Sequence, residues 1–217
     1  MNLVKRVRNI LLSPATEWPV IEQESETVAG IYTRYVVFLA AIPAIAGFIG
    51  MSVFGIGGFG LRLRVPFVTG LVQMVVSYGL SLVMFYVLAL IVDALAPTFG
   101  GQKHPVKAFK VVAYSMTAAM VAGIFSILPA LAMIGLLGAL WSIWLLYTGL
   151  PALMKAPQDK ALGYTAVVVV CGIVVGVVIA LVASAIAPSQ AGLMAGAGGV
   201  TGVTIETPQG TVNLDEM

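Results

Sequence analysis

Residues 111–154 read VVAYSMTAAMVAGIFSILPALAMIGLLGALWSIWLLYTGLPALM, about 44 positions between Lys110 and Lys155 without one formal charge. At about 1.5 Å per residue a single helix of that length would extend about 66 Å, twice the roughly 30 Å of a bilayer's hydrocarbon core. The run therefore predicts a membrane hairpin, broken at Pro129 and Gly135, with one span over about Val111–Ile127 and the next over about Leu131–Leu150.

Working outward, the same criterion finds three more spans. Upstream, about Phe67–Leu95 holds about 29 residues and must tilt or protrude. Pro97, Gly100 and Gly101 end it, and a basic loop with Lys103, Lys107 and Lys110 comes next. Before it lies a span over about Tyr35–Phe54, with Arg34 placed to snorkel at its start and Pro43 to kink it. A glycine-rich connection carrying Arg62 and Arg64 joins the two. Downstream, a polar stretch with Lys155, Pro157, Asp159 and Lys160 precedes a fifth span over about Tyr164–Ile186, closed by Pro188. Composition agrees: 60% of residues are hydrophobic, 9% are charged and the mean hydropathy is +1.05. Transmembrane barrel strands would alternate apolar and polar residues, whereas these runs are continuously apolar. The expected class is an all-α polytopic integral membrane protein of five transmembrane helices.

Residues 1–34 form an N-terminal segment of another kind. Leu3, Val7, Ile10 and Leu11 share one helical face, with Lys5, Arg6 and Arg8 off it. Such a basic amphipathic helix suits an anionic membrane surface, or else caps the domain as a solvated helix. Trp18 is a candidate interfacial anchor, Pro19 a candidate start for a short acidic helix with Glu22, Glu24 and Glu26, and Thr27 a candidate N-cap for the helix after it. The apolar stub before Ser13 is too short for a signal-peptide core, so the N-terminus is expected to be retained. After the spanning domain, 35–187, the tail 188–217 is polar and glycine-rich, carries only Glu206, Asp215 and Glu216 as charges, and is expected to be flexible. With the N-terminus cytoplasmic, five spans place Lys5, Arg6, Arg8, Arg34, Lys103, Lys107, Lys110, Lys155 and Lys160 inside and only Arg62 and Arg64 outside. That is the positive-inside pattern, and it puts the C-terminus across the membrane.

Few residues carry a chemical signature. The net charge of +2 and the absence of a basic stripe argue against nucleic acid. Cys171 is the only cysteine, which excludes a disulfide framework and a CxxC pair. Gly55, Gly57 and Gly60 spell GxGxxG after a membrane helix, not between a strand and a helix, and read as a turn. No cofactor, metal or catalytic motif is expected. Asp93 is the carboxylate within a predicted span and could pair with a loop lysine, lie hydrated at the interface, or handle an ion or proton. His104 could meet it at the cytoplasmic face, though one imidazole makes no metal site. Gln73, Tyr114, Ser115 and Thr117 are further polar candidates inside spans, for interhelical hydrogen bonds or a substrate path. Gly172, Gly176, Ala180 and Ser184 recur every fourth residue and mark a close-packing face on the fifth span.

The string AFKVVAYSMTAAMVAGIFSILP, Ala108–Pro129, together with WSIWLLYTGLPALMKAP, Trp141–Pro157, resembles the third and fourth spans of the Yip family, the five-span Ypt/Rab-interacting membrane proteins. NILLSPATEWPVI, Asn9–Ile21, and LAPTFGG, Leu95–Gly101, resemble its bacterial branch. The resemblance implies five helices, a cytosolic N-terminus and a non-enzymatic role. Family members often continue Tyr-Ser into proline. Here Thr117 and Ala118 stand in that region, so the helix is expected to be less bent. The leading expectation is a bacterial inner-membrane scaffold that contacts the lipid bilayer and other membrane proteins or itself. The alternative is a small transporter or channel using Asp93, Tyr114, Ser115 and Gln73, and a lipid-acting enzyme ranks third.

Overall fold

A computed structural model describes residues 2–58, 61–63, 65–128, 131–186, 204–207 and 210–213. Two short helices come first, α1 (Leu3–Leu12) and α2 (Pro14–Gln23). Asn2 caps α1 by accepting the Lys5 N–H, and Pro14, at the first turn of α2, lacks the N–H that would be orphaned there. Pro19 therefore lies inside α2 and does not start it, a correction to the sequence reading.

The first span is longer than expected. Thr27 caps α3 (Val28–Ile31) through the Gly30 N–H, as anticipated, and the helix continues through a π-helical turn, Tyr32–Val36, into α4 (Val37–Ile49) and a second such turn, Gly50–Phe54. A short antiparallel pair, β1 (Ile56–Gly58) and β2 (Leu61–Leu63), leads to α5 (Phe67–Leu95). The backbone of Arg62 lies in β2, and Arg64 falls outside the described residues.

The third span begins at Pro105, six residues before Val111: α6 (Pro105–Ser115) takes in Lys107 and Lys110, which the charge pattern had assigned to a loop. Both lysines have partners on α2, so a helical conformation leaves neither charge stranded. Helix regularity is interrupted at Met116 although no proline is near, and α7 (Thr117–Ala122) continues the span. The Ala119 N–H turns to the Ser142 hydroxyl at 2.9 Å, a side chain intruding on the helical ladder. Pro129 lies outside the described residues, whereas Gly135 does not break the hairpin: α8 (Ala132–Met154) runs straight through it. α9 (Gln158–Ile186) starts six residues before Tyr164, with Asp159 in its first turn. In the tail, β3 (Thr204–Thr207) pairs antiparallel with β4 (Gly210–Asn213) and packs beside β2, while 188–203 and 214–217 lie outside the described residues.

Among the described residues, five stretches are long and apolar enough to cross a membrane: Val28–Phe54, Phe67–Phe99, Pro105–Ile127, Met133–Met154 and Gln158–Ala183. The third is the hub. Its most apolar window is 61% buried against 6% for the fifth, so α6 and α7 form the protein interior and α9 presents itself to lipid. Close helix approach occurs at a position outside the predicted small-residue stripe, Gly138 of α8, where a Cβ would lie 2.8 Å from the Ala118 carbonyl oxygen of α7.

The LAPTFGG segment ties three helix ends together. A 3₁₀ turn, Ala96–Phe99, extends α5, and Gly100 takes φ 76°, which L side chains avoid. Gly101 passes so close to α8 that a Cβ would lie 2.8 Å from the Met154 carbonyl oxygen, and the Gln102 N–H donates to that oxygen at 2.8 Å. Phe99 stacks on Tyr164 of α9 with centroids 4.9 Å apart, and the Tyr164 hydroxyl donates to the Val92 carbonyl of α5.

Trp18 is buried, not interfacial: its indole N–H donates to Thr148 of α8 at 3.1 Å, and its ring covers Gly149. A Cβ at 149 would fall 2.7 Å from Trp18 Cζ2. Gly149→Val should therefore lift α2 from α8, costing about 1–3 kcal/mol in detergent unfolding and raising protease cleavage between α1 and α3. Unchanged cleavage would refute this packing.

Candidate functional site: a charge cluster under the N-terminal helices

α1 and α2 fold back over the bundle end formed by the start of α6 and the end of α8. The apolar face of α1 is used inward: Ile10 is fully buried, and Leu3, Val7 and Leu11 pack against the core. Lys5 and Arg8 remain exposed. Arg6 does not. It is 5% exposed, and its guanidinium donates to Glu17 and to Glu24. Glu17 also accepts from the Asn9 amide at 3.0 Å, and the Arg6 carbon Cζ stands 5.6 Å over the Tyr114 ring. Burial works against the charge on Arg6, but Glu24, Tyr114 and Glu17 outweigh it and hold its pKa above the ordinary value.

Lys110 meets the other end of α2. Its ammonium, 2% exposed as a residue, donates to the Ile21 carbonyl at 2.7 Å and the Glu24 carbonyl at 2.5 Å. These oxygens belong to the last turn and cap of α2, where intrahelical donors run out and a cation complements the dipole. Glu22 bridges outward, to Lys155 at 2.6 Å and Lys107 at 3.2 Å. The hydrogen bond from Lys155 and the second from Lys107 outweigh desolvation and hold the Glu22 carboxyl below its usual range.

Beneath the charges lies a hydroxyl layer. Tyr114 donates to Glu26 at 3.1 Å, packs edge-on to Tyr35 at 4.8 Å, and Tyr35 shares a 2.7 Å hydrogen bond with Thr117. The sequence-singled residues Tyr114 and Thr117 thus come together, as helix ties. Ser115 is buried beside them, and its Oγ has no hydrogen-bond partner among the described residues. Gln73 is not part of this group; it is exposed on α5. Asp93 accepts the His104 backbone N–H at 2.7 Å, so the two do meet, through main chain and not the imidazole; the His104 ring in turn caps α6. No trio of His, Cys, Asp or Glu that could hold a metal occurs among the described residues.

Gly172 and Gly176 face α5 without close backbone approach. A Cβ at each would meet only side-chain ends, Leu88 Cδ1 at 3.5 Å and Met84 Cε at 3.7 Å. They line an apolar cavity of about 340 Å³ bounded also by Met116 and Ser142. Ala180 is exposed, and the Ser184 side chain lies outside the described residues.

Sequence reasoning missed Glu17, Glu22, Glu24 and Lys110 as site residues. One signal was present: Lys107, Lys110, Tyr114 and Thr117 fall at i, i+3, i+7 and i+10, one polar face on a helix otherwise apolar.

Fold and cluster define a polytopic helical membrane protein whose N-terminal segment is built into the bundle. The match to the Yip1 domain model over residues 8–180 makes the relationship specific: the chain belongs to the Yip1 domain family. It is similar to the Inner membrane protein YohC of Escherichia coli strain K12, 27% identical over 175 residues, covering 79% of this chain and 90% of that one. The protein of the same name from E. coli O6:H1 strain CFT073 matches with the same identity and coverage. No solved structure matches.

Arg6→Ala should cost about 3 kcal/mol, the low end for a broken buried pair, because Glu24 keeps 33% exposure and can rehydrate. Adding Glu17→Gln should recover part of that loss in detergent unfolding; strict additivity would argue against direct coupling. Because the folded Glu22 pKa is depressed, its contribution is present above the unfolded carboxylate value of about 4.3 and is lost as pH falls through the lower folded value. The stability gap between the wild type and Glu22→Gln should be full at neutral pH and close on acidification below about pH 4. A gap that widens toward acid would contradict the assignment.

Proposed function

We propose that this Yip1-family chain is a non-enzymatic scaffold of a bacterial inner membrane, with the N-terminus cytoplasmic and the C-terminus beyond the membrane. The strongest support for the reading is the fate of the intramembrane polar groups. Tyr35, Thr117, Ser142 and Tyr164 are spent on bonds between helices, Tyr114 bonds to Glu26 in the link between α2 and α3, and Asp93 to a loop N–H. Two cavities among the described residues, about 340 and 230 Å³, are lined almost wholly by apolar side chains and offer an ion no replacement for its water shell. Charge bias and the name of the E. coli relatives support the location.

In this reading the docked α1–α2 pair is a rigid platform, displaying Lys5 and Arg8 toward anionic lipid or an acidic partner while Arg6 and Lys110 hold it in place. Protein in liposomes should carry no ion or small-solute flux above protein-free vesicles. A flux abolished by Asp93→Asn would replace scaffold with transporter. A photo-crosslinker at the exposed position 4 should capture discrete membrane proteins, and Lys5→Glu with Arg8→Glu should reduce those adducts without changing thermal stability.

A further inference from the structure

We propose that α8 joins two copies of this chain, packing parallel against its own counterpart along a seam centred near Trp144. Met133, Leu137, Leu140, Trp144 and Tyr147 are all left exposed by the bundle, at intervals of four, three, four and three residues. That is heptad spacing, the pattern of a left-handed helix pair, and it is kept over about 21 Å. The opposite face of α8 is already used, with Leu145, Leu146 and Leu150 in the core and Gly149 under Trp18.

Depth sets the aromatic residues apart from an ordinary lipid-facing surface. The midpoint of the span Met133–Met154 falls between Ile143 and Trp144, so Trp141 and Trp144 both lie within about 4 Å of it. Indoles in membrane proteins concentrate in the interfacial belts, where the N–H finds headgroups or water. Here the two rings pack on each other with centroids 4.8 Å apart, and neither N–H, nor the Tyr147 hydroxyl, has a hydrogen-bond partner among the described residues. Acyl chains offer no acceptor. The lipid-facing side of α9 shows the contrast: its exposed Val170, Ile173, Val174 and Val177 have nothing to bond and suit hydrocarbon alone.

Register chooses a second copy as the occupant. Two copies inserted with the same topology are related by a two-fold axis along the membrane normal, so each residue of α8 meets its own level on the other helix. Tyr147 stands three residues, about 4.5 Å, beyond Trp144, and helical side chains lean toward the N-terminus. The hydroxyl of one copy therefore comes back toward the indole of the other, and symmetry lets each Trp144 N–H donate to the opposite Tyr147 oxygen. An unrelated helix would have to place an acceptor at that depth by itself; α8 already carries one. Met133, Leu137 and Leu140 meet as like layers, Trp141 braces the Trp144 ring from its own helix, and the seam has no charge to repel its copy. Since lipid solvates apolar side chains as well as a helix does, the packing and these two hydrogen bonds supply the preference for the pair.

The test uses the full chain carrying Cys171→Ser, in liposomes at low protein density. On oxidation, Leu137→Cys or Leu140→Cys should give disulfide-linked dimers, and Val174→Cys, comparably exposed on α9, should not. Single-molecule photobleaching should count two chains per spot, and Tyr147→Phe should weaken association about tenfold, because two hydrogen bonds are lost per dimer. Trp144→Leu with Tyr147→Phe should weaken it little more than Trp144→Leu alone, since both remove the same bond. Both positions lie outside the core, so the thermal unfolding of each variant should match the parent. One bleaching step per spot at every density, or linkage through Val174→Cys as strong as through Leu140→Cys, would overturn the seam. Equal association of the parent and Tyr147→Phe would overturn the hydrogen bond that selects the second copy. In native membranes, a Leu140→Cys adduct whose mass is not twice that of the chain would give this face to a different protein and overturn self-pairing. Solute flux decides the scaffold reading by itself, so that reading and this interface fail separately.

Discussion

A guanidinium placed inside a protein has to be met by opposite charge, because its desolvation is not recovered by packing alone. Arg6 is in that position, and satisfying it dictates the arrangement of everything at this end of the molecule. Glu17 and Glu24 can converge on it only if the chain reverses between α1 and α2, which Ser13 and Pro14 permit. That reversal brings the C-terminal turn of α2 onto Lys110 and Trp18 onto Gly149. The consequence is that residues 1–34 are not an appendage. Ile10, Trp18 and Ile21 belong to the same buried cluster as Val112, Tyr114 and Leu150 of the spans.

The spans were legible because hydrocarbon thickness acts on length and charge, both visible in a single sequence. Phe67–Leu95 was read with the ends that the structure gives it. One misjudged end has a clear cause. Lys107 and Lys110 were assigned to a loop because a charge next to lipid is expensive, yet at the hub of a bundle the neighbour is protein. Lys110 can stay helical because α2 presents carbonyl oxygens to it, and that partner is 86 and 89 positions away in sequence.

The same limit explains the candidate residues. A helical wheel puts Arg6 off the face of Leu3, Val7 and Ile10, and nothing local reveals carboxylates 11 and 18 residues later turning toward it. Trp18 has the profile of an interfacial anchor until Gly149 supplies a flat surface for its ring. Hydroxyls fared better. Tyr114 and Thr117 stand in an apolar helix, where each must bond to something; interhelical ties and a substrate path were both open from sequence, and Thr117 bonds to Tyr35 while Tyr114 bonds to Glu26. Regular spacing misled at Gly172 and Gly176, since a stripe of small residues permits close approach without requiring it.

Ties between helices are unevenly distributed along the membrane normal. The end under α1 and α2 holds the ion pairs, the lysine-capped helix and the Phe99–Tyr164 stack. Deeper in the bundle the ties include the Ala119–Ser142, Tyr35–Thr117 and Tyr78–Val37 bonds, and α5, α8 and α9 meet across apolar cavities at Met84, Leu88 and Met116. Lipid offers no hydrophobic drive to close such gaps, because acyl chains solvate apolar side chains as well as neighbouring helices do. The bundle is therefore organised from one end, and helix α9, with little of its surface buried, is located chiefly by its first two turns. That places much of the structural demand of the fold on the segments 6–24, 95–101 and 107–117, while the long apolar runs between them are constrained where helices approach closely, as at Gly138 against Ala118.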